Sequence, residues 1–208
     1  MGFGDIKRIR LNVKTTYVVL LASCVCMSLL CSKVSLLAAN EVETRVMSSR
    51  ASIKELAENL KGYLQAGLES SVSAEEKLLM CKSGALEATS LIEEEKGFRV
   101  RRTSLRVRNP DNTPDAWESK VLEQFQVRRQ SGDKIADLDY AEILDDGQVR
   151  QFRYMKAIPV GKVCVICHGK AIDPELIFWL GKIYPGDRAR GFEVGEIRGA
   201  FTVTQGID

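Results

Sequence analysis

Two thiols and an imidazole stand together at Cys164-Val165-Ile166-Cys167-His168. This C-x-x-C-H spacing is that of covalent c-type haem attachment. Each thiol adds to one haem vinyl group, and the adjacent imidazole supplies an axial ligand to the iron. His168 is the only histidine of the chain, so the motif does not come from a background of scattered histidines. Two other chemistries use a C-x-x-C pair. A redox disulfide leaves His168 without a reason. A zinc site with Cys81 as third ligand needs the neighbours Cys167 and His168 on one ion, although zinc ligands are ordinarily separated by about two to four residues. Haem c is the reading that uses every residue of the run.

With one histidine, two-histidine ligation within a chain is excluded. The strong candidates for the second axial position are Cys81, Met80 and Met155, with lysine weaker. A thiolate stabilises ferric iron and lowers the reduction potential, whereas a thioether raises it. Cys81 also has an ordinary reading as a small buried hydrophobe. The guanidinium groups of Arg101, Arg102, Arg106 and Arg108 match haem propionates in a two-pronged way, or they form a solvated strand face. Tyr154 and Tyr184 suit either a haem edge or the core, and Trp117 and Trp179 suit the core. No distal acid–base group is recognisable, so no catalytic residue is assigned and the chain does not read as an enzyme.

The elements that must position these groups follow from composition and pattern. Hydrophobic residues make up 45% and charged ones 28% of the 208-residue chain, a globular balance. A net charge of +2 argues against a nucleic-acid binder. The N-terminus concentrates Lys7, Arg8, Arg10 and Lys14 ahead of an apolar run from Tyr17 to Cys31, with Ala38-Ala39 before a polar start. This pattern reads as a signal peptide or an N-terminal membrane anchor over residues 1–39. Leu37 is a poor residue for cleavage, which keeps the anchor reading open, and the run is short for a full span. Leu21-Ala22-Ser23-Cys24 resembles a lipoprotein box, but the sequence after it stays apolar. Cys24, Cys26 and Cys31 then serve as apolar signal residues. Haem c is assembled outside the cytoplasm, so localisation to the periplasm or the outer membrane face agrees with the motif.

Residues 40–208 form the functional domain. An apolar stripe through Val42, Val46, Ile53, Leu56, Leu60 and Leu64 predicts a helix over 41–70. Val46, Ile53 and Leu60 are seven apart, which also offers residues 42–68 as a homodimer seam. Ser73 with Glu76 makes a capping box for a second helix running to about Glu94 and carrying Cys81. Arg99 to Arg108 reads as a strand that stops at Asn109-Pro110-Asp111-Asn112. A short amphipathic helix over 115–128 and two strands, 134–144 and 147–158, joined at Asp145-Asp146-Gly147, come before the motif. Pro174 to Leu180 reads as a helix. Glu196 to Thr204 is a closing strand, with Ile197, Phe201 and Val203 inward and Arg198, Thr202 and Thr204 outward. Helices followed by an antiparallel sheet make an α+β domain.

Several blocks resemble one family of single-haem c proteins. They are Leu79-Met80-Cys81-Lys82, Arg101 to Pro110, Asn112 to Glu118, Tyr154-Met155-Lys156, Cys164 to Gly169, Tyr184-Pro185-Gly186-Asp187 and Gly195 to Ala200. In this order they cover about residues 45–204 and identify the chain as a member of the Tll-type haem domain family. The resemblance implies a PAS-like fold, with helices on one side of a central antiparallel sheet. It also implies a histidine–cysteine axial pair, His168 and Cys81. Gly84-Ala85 departs from the Ala-Pro expected after the cysteine, which bears on where that helix ends. The expected function is an exported monohaem protein that senses redox state or a small ligand such as nitric oxide or carbon monoxide, working through a separate redox or signalling partner. The alternatives are a low-potential electron carrier and, more remotely, a haem peroxidase.

Overall fold

A computed structural model describes residues 13–207, with side chains from Ala39 onward. The chain divides into two units, residues 1–44 and 45–208. In the first, the backbone is helical from Val13, and the Thr44 hydroxyl donates to the Asn40 carbonyl at 2.8 Å. The basic stretch, the apolar run and Cys24, Cys26 and Cys31 lie outside the residues whose side chains are described. Among the described residues, no helix is long and apolar enough to cross a membrane.

The second unit has the α+β order expected. Helices α1 (Val13–Glu69, within this unit from Arg45) and α2 (Ala74–Lys96) precede strands β1 (Arg99–Thr103), β2 (Asp139–Asp145), β3 (Arg150–Pro159) and β4 (Ile197–Gly206), with α3 (Ala116–Gln130), α4 (Val165–His168) and α5 (Pro174–Ile183) between them. The four strands form one antiparallel sheet in the order β1-β4-β3-β2. Placing the last strand second in this order buries it between neighbours.

Local sequence sets most boundaries. The Ser73 hydroxyl accepts from Glu76 N, and the Glu76 carboxylate accepts from Ser73 N, which closes the expected capping box. Asp115 and Glu118 close a second one on α3. At the hairpin, Asp145 and Asp146 side chains accept from the Gly147, Gln148 and Val149 amides, and Gly147 takes φ 82°. Two strands are shorter than expected. β1 ends at Thr103, because the Ser104 hydroxyl accepts from Arg106 N and ties the chain into a turn. β2 starts at Asp139, because Ile135–Asp137 form a 3-10 turn.

Both sheet faces are covered, where the resemblance implied helices on one side. On one face, Val121, Leu122 and Phe125 of α3 pack with Met155, Ala157, Ile197 and Ala200. On the other, α1 lies against β3 and β4. Its Arg50 donates to the Tyr154 hydroxyl at 3.2 Å and to Asp139 at 2.7 Å, and Gln205 donates to the Ser49 hydroxyl at 3.0 Å. This explains why the in–out alternation fails on β4, where Thr202 is as buried as Val203. Ile53 and Leu56 of the α1 stripe are buried, so these two positions serve this chain's own core.

Gly84 leaves α2 unbroken; the helix runs on to Lys96 and closes with Gly97 at φ 70°. A Cβ at Gly84 would sit 2.4 Å from Cδ1 and 2.5 Å from Cγ of Tyr63 on α1. Glycine therefore sets how closely the two helices approach. Gly84→Ala should gain about 1 kcal/mol in helix propensity but lose about 1–3 kcal/mol to overpacking, because the clash reaches Cγ near the Tyr63 backbone. The expected net result is a lower melting temperature, read by thermal unfolding followed by circular dichroism. An unchanged or higher midpoint would mean that Tyr63 swings aside freely.

Candidate functional site

The C-x-x-C-H run folds as a single turn. Cys164 N donates to the Gly161 carbonyl at 3.1 Å, His168 N to the Cys164 carbonyl at 2.9 Å, and Gly169 N to the Val165 carbonyl at 2.9 Å. Residues three and four apart on such a turn share a side, so Cys164, Cys167 and His168 are presented together. Cys81, Cys164 and Cys167 are half-buried free thiols.

The returning loop sets the imidazole. His168 Nδ1 lies 2.7 Å from the Ala189 carbonyl, and the Phe192 ring meets the imidazole edge-on at 6.3 Å. A carbonyl only accepts, so Nδ1 carries the proton and Nε2 keeps a bare lone pair. Burial, and then the nearby charges of Arg198 and Arg108, push His168 down to about 3. At neutral pH the ring is therefore an uncharged base with one lone pair available, which is what a metal requires of it.

Tertiary packing brings a third thiol to the motif. Cys81, Cys167 and Ile166 line one cleft of about 400 Å³ together with Leu64, Gly67 and Leu176. Cys81 and Cys167 are 86 residues apart in the chain, and each thiol is pushed up chiefly by burial. A Cβ at Gly67 would stand 3.3 Å from Cys81 Sγ, so the bare α1 backbone leaves room for the thiol. The other candidate ligands are elsewhere. Met80, one residue and about 100° around α2 from Cys81, is exposed in a groove with Val72, Leu79 and Leu86. Met155 is fully buried on the α3 face of the sheet.

The arginines separate in the same way. Arg101 points to the α3 face and pairs with Glu118. Arg106 donates to the Arg190 carbonyl and stacks on Phe192 at 4.0 Å. Arg108 donates to the Cys167 carbonyl at 2.5 Å, and its Nε lies 3.2 Å from Asp187. Arg198 donates to the Ser104 hydroxyl at 3.0 Å and the Arg106 carbonyl at 3.1 Å. Burial and like charges on Arg108 and Arg102 bring Arg198 down to about 10. Asp187 is the carboxylate of this group, shared with Arg190 at 2.8 Å.

Tyr184 is half-buried beside Arg108, Arg102 and Cys81, with Lys82 above its ring at 5.7 Å. Tyr154 is instead a core residue, and its hydroxyl donates to Asp139 at 2.7 Å. Trp179 packs around Leu78 and Leu180, and Trp117 packs against the α3 core.

Sequence reasoning missed Arg198, Asp187 and the Ala189 carbonyl. The first two fall inside blocks shared with the resembled family, but nothing in their local spacing singles them out.

The donor set fits a covalently held haem. Two free thiols share one turn with a neutral imidazole that has one open nitrogen, and a third thiol lines a cleft with Cys167. The arginines beside the motif outnumber their shared carboxylate Asp187, while Asp173 and Glu175 also line the cleft. Among the described residues, no group of three or more His, Cys, Asp or Glu side chains converges as a closed metal site, which is the arrangement that structural zinc requires.

Residues 37–205 match the family model described as Tll0287-like. A solved structure, the crystal structure of the cyanobacterial heme-protein Tll0287, is 24% identical and superposes with a TM-score of 0.58, covering 79% of this chain and 96% of that one. At this identity the likeness establishes the fold. No curated protein matches.

Proposed function

Because the chain belongs to the Tll0287-like family, we propose that it is an exported monohaem c-type protein that senses redox state or a small ligand. The observation that carries this reading is that the distant thiol of Cys81 lines one cleft with Cys167 of the C-x-x-C-H turn, whose His168 is held neutral with Nε2 free. Cys164 and Cys167 would form the thioether bonds, His168 would be the proximal ligand, and Cys81 the second axial ligand. The bound haem would supply one-electron chemistry and an iron centre that takes up diatomic gases. Met80 and Met155 are displaced from this role by their positions.

Within the chain, the Ala189 carbonyl fixes the His168 tautomer, and Phe192 limits its rotation. Leu64, Leu176 and Ile166 give the cleft an apolar part of its lining. Cys81 is the residue whose release would open a binding position. Its partner would be a separate redox or signalling protein, and the site of action the periplasm or the outer membrane face. The peroxidase reading has no second histidine to draw on, since His168 is committed to Ala189, and would have to use Asp173 or Glu175, which line the cleft.

The test uses protein matured in a host that makes haem c. Haem should remain attached through denaturing electrophoresis, and be lost in the double variant Cys164→Ala/Cys167→Ala. Nitric oxide and carbon monoxide should each change the visible spectrum of the ferrous protein. If neither gas does so, gas sensing is wrong. A reversible one-electron titration without ligand change would then establish the electron carrier.

A further inference from the structure

Of the arginines Arg101, Arg102, Arg106, Arg108 and Arg198, Arg102 is the one left without a hydrogen-bond or ion-pair partner among the described residues. Arg101 is neutralised by Glu118 on the far face of the sheet. Arg106 and Arg198 are spent on backbone carbonyls, the Ser104 hydroxyl and the Phe192 ring. Arg108 holds the Cys167 and Ala189 carbonyls and meets Asp187. Arg102 makes no hydrogen bond or ion pair with any described residue, although it is half-buried.

Its place in the sheet puts it on the face away from α3. In the register of β1 with β4, Arg102 sits opposite Phe201 and so shares a face with Val100 and Val203, while Arg101 shares the other face with Thr103. On that face it comes beside Tyr184, which itself lies next to Cys81. Burying a guanidinium costs free energy unless an anion meets it. Here Arg108 and Arg198 add to the positive charge, and Asp187 is already shared by Arg108 and Arg190.

A c-type haem brings the missing anions. Its two propionates leave the ring edge opposite the one that carries the thioether bonds. Arg108 is bonded at the thioether edge itself, through the Cys167 carbonyl. Arg102 has no hydrogen bond to the motif and no ion-pair partner among the described residues, which leaves its guanidinium available to a propionate. Resting on the haem reading above, we infer that Arg102 is the residue that binds a haem propionate, and that this ion pair raises the potential at which the protein exchanges its electron.

The experiment is a potentiometric titration with dithionite on the matured holoprotein, beside Arg102→Gln, Arg102→Lys and Arg99→Gln. Arg99 lies on the same strand, is exposed, and carries the same charge change away from the cleft. Removing one cation near the iron favours the ferric form. For Arg102→Gln, the expected shift is about tenfold in the ferric-to-ferrous ratio at a fixed poise, or ~59 mV downward for a one-electron couple. The redox-induced infrared difference spectrum should lose the wild-type carboxylate band. Arg102→Lys should restore most of the potential, and Arg99→Gln should match wild type. A wild-type potential and carboxylate band in Arg102→Gln would overturn the inference, as would an equal shift in Arg99→Gln. In either case a normal covalent haem content leaves the haem reading standing. If the wild type carries no covalent haem, both fall together.

Discussion

Replacing Cys81 with alanine is expected to raise the midpoint potential of the holoprotein by roughly 0.2–0.4 V, within the span of about 0.8 V that axial ligands command. The same change should abolish a low-spin thiolate signature in the paramagnetic resonance spectrum of the ferric form. A thiolate donates charge to iron and favours the ferric state, so its loss must move the potential upward. The structure narrows what can replace it. Met155 is locked in the core on the opposite face of the sheet, and Met80 projects from another side of α2. Cys81→Ala should therefore leave an open or water-filled position, with high-spin character and stronger gas binding. Potential, resonance and visible spectra identical to wild type would make Cys81 a structural residue and return Met80 or an open catalytic site to consideration.

Glu118→Ala is expected to destabilise the domain by about 3–5 kcal/mol, the cost of removing one partner from a buried ion cluster. Glu118 is fully buried. One carboxylate oxygen accepts from Arg153 at 3.0 Å, while the other accepts from Arg101 and from the Asp115 amide. Arg153 also bonds Asp115 at 2.6 Å and lies over the Trp117 ring at 4.3 Å. Losing the carboxylate would leave two guanidinium groups with Asp115 alone and would open the α3 cap at the same stroke. For a domain of this size the melting temperature should fall by about 10 °C. Glu118→Gln keeps the cap and should recover part of the loss. Because this cluster lies on the α3 face, neither change should alter the haem spectra of protein that remains folded. A melting point within a degree or two of wild type would show that the cluster is stabilised by other means.

Some of this was written in short stretches of chain. The Ser73–Glu76 cap, the Asp145-Asp146-Gly147 hairpin and the C-x-x-C-H turn each depend on residues within a few positions of one another, so pattern alone locates them. The same logic makes the Asp115–Glu118 box readable, but not that its Glu118 would also be the buried counter-charge for Arg153, 35 residues away. Four arginines between 101 and 108 looked alike. They differ because β1 ends at Thr103, so strand alternation sorts Arg101 from Arg102, while the turn after it spends Arg106 and Arg108 on the loop that carries Ala189.

The sequence by itself determined the C-x-x-C-H spacing from which the attachment chemistry is proposed and the α+β order of elements, since these follow from adjacent residue types and from periodicity. It also carried the family in the order of its shared blocks. Only the tertiary structure decided that Cys81 and not Met80 or Met155 faces the motif. It also decided that His168 stays neutral and that Arg102 is left with no hydrogen bond or ion pair among the described residues. Those properties depend on burial and on partners brought from distant parts of the chain by helix phase and strand register, which local sequence does not specify.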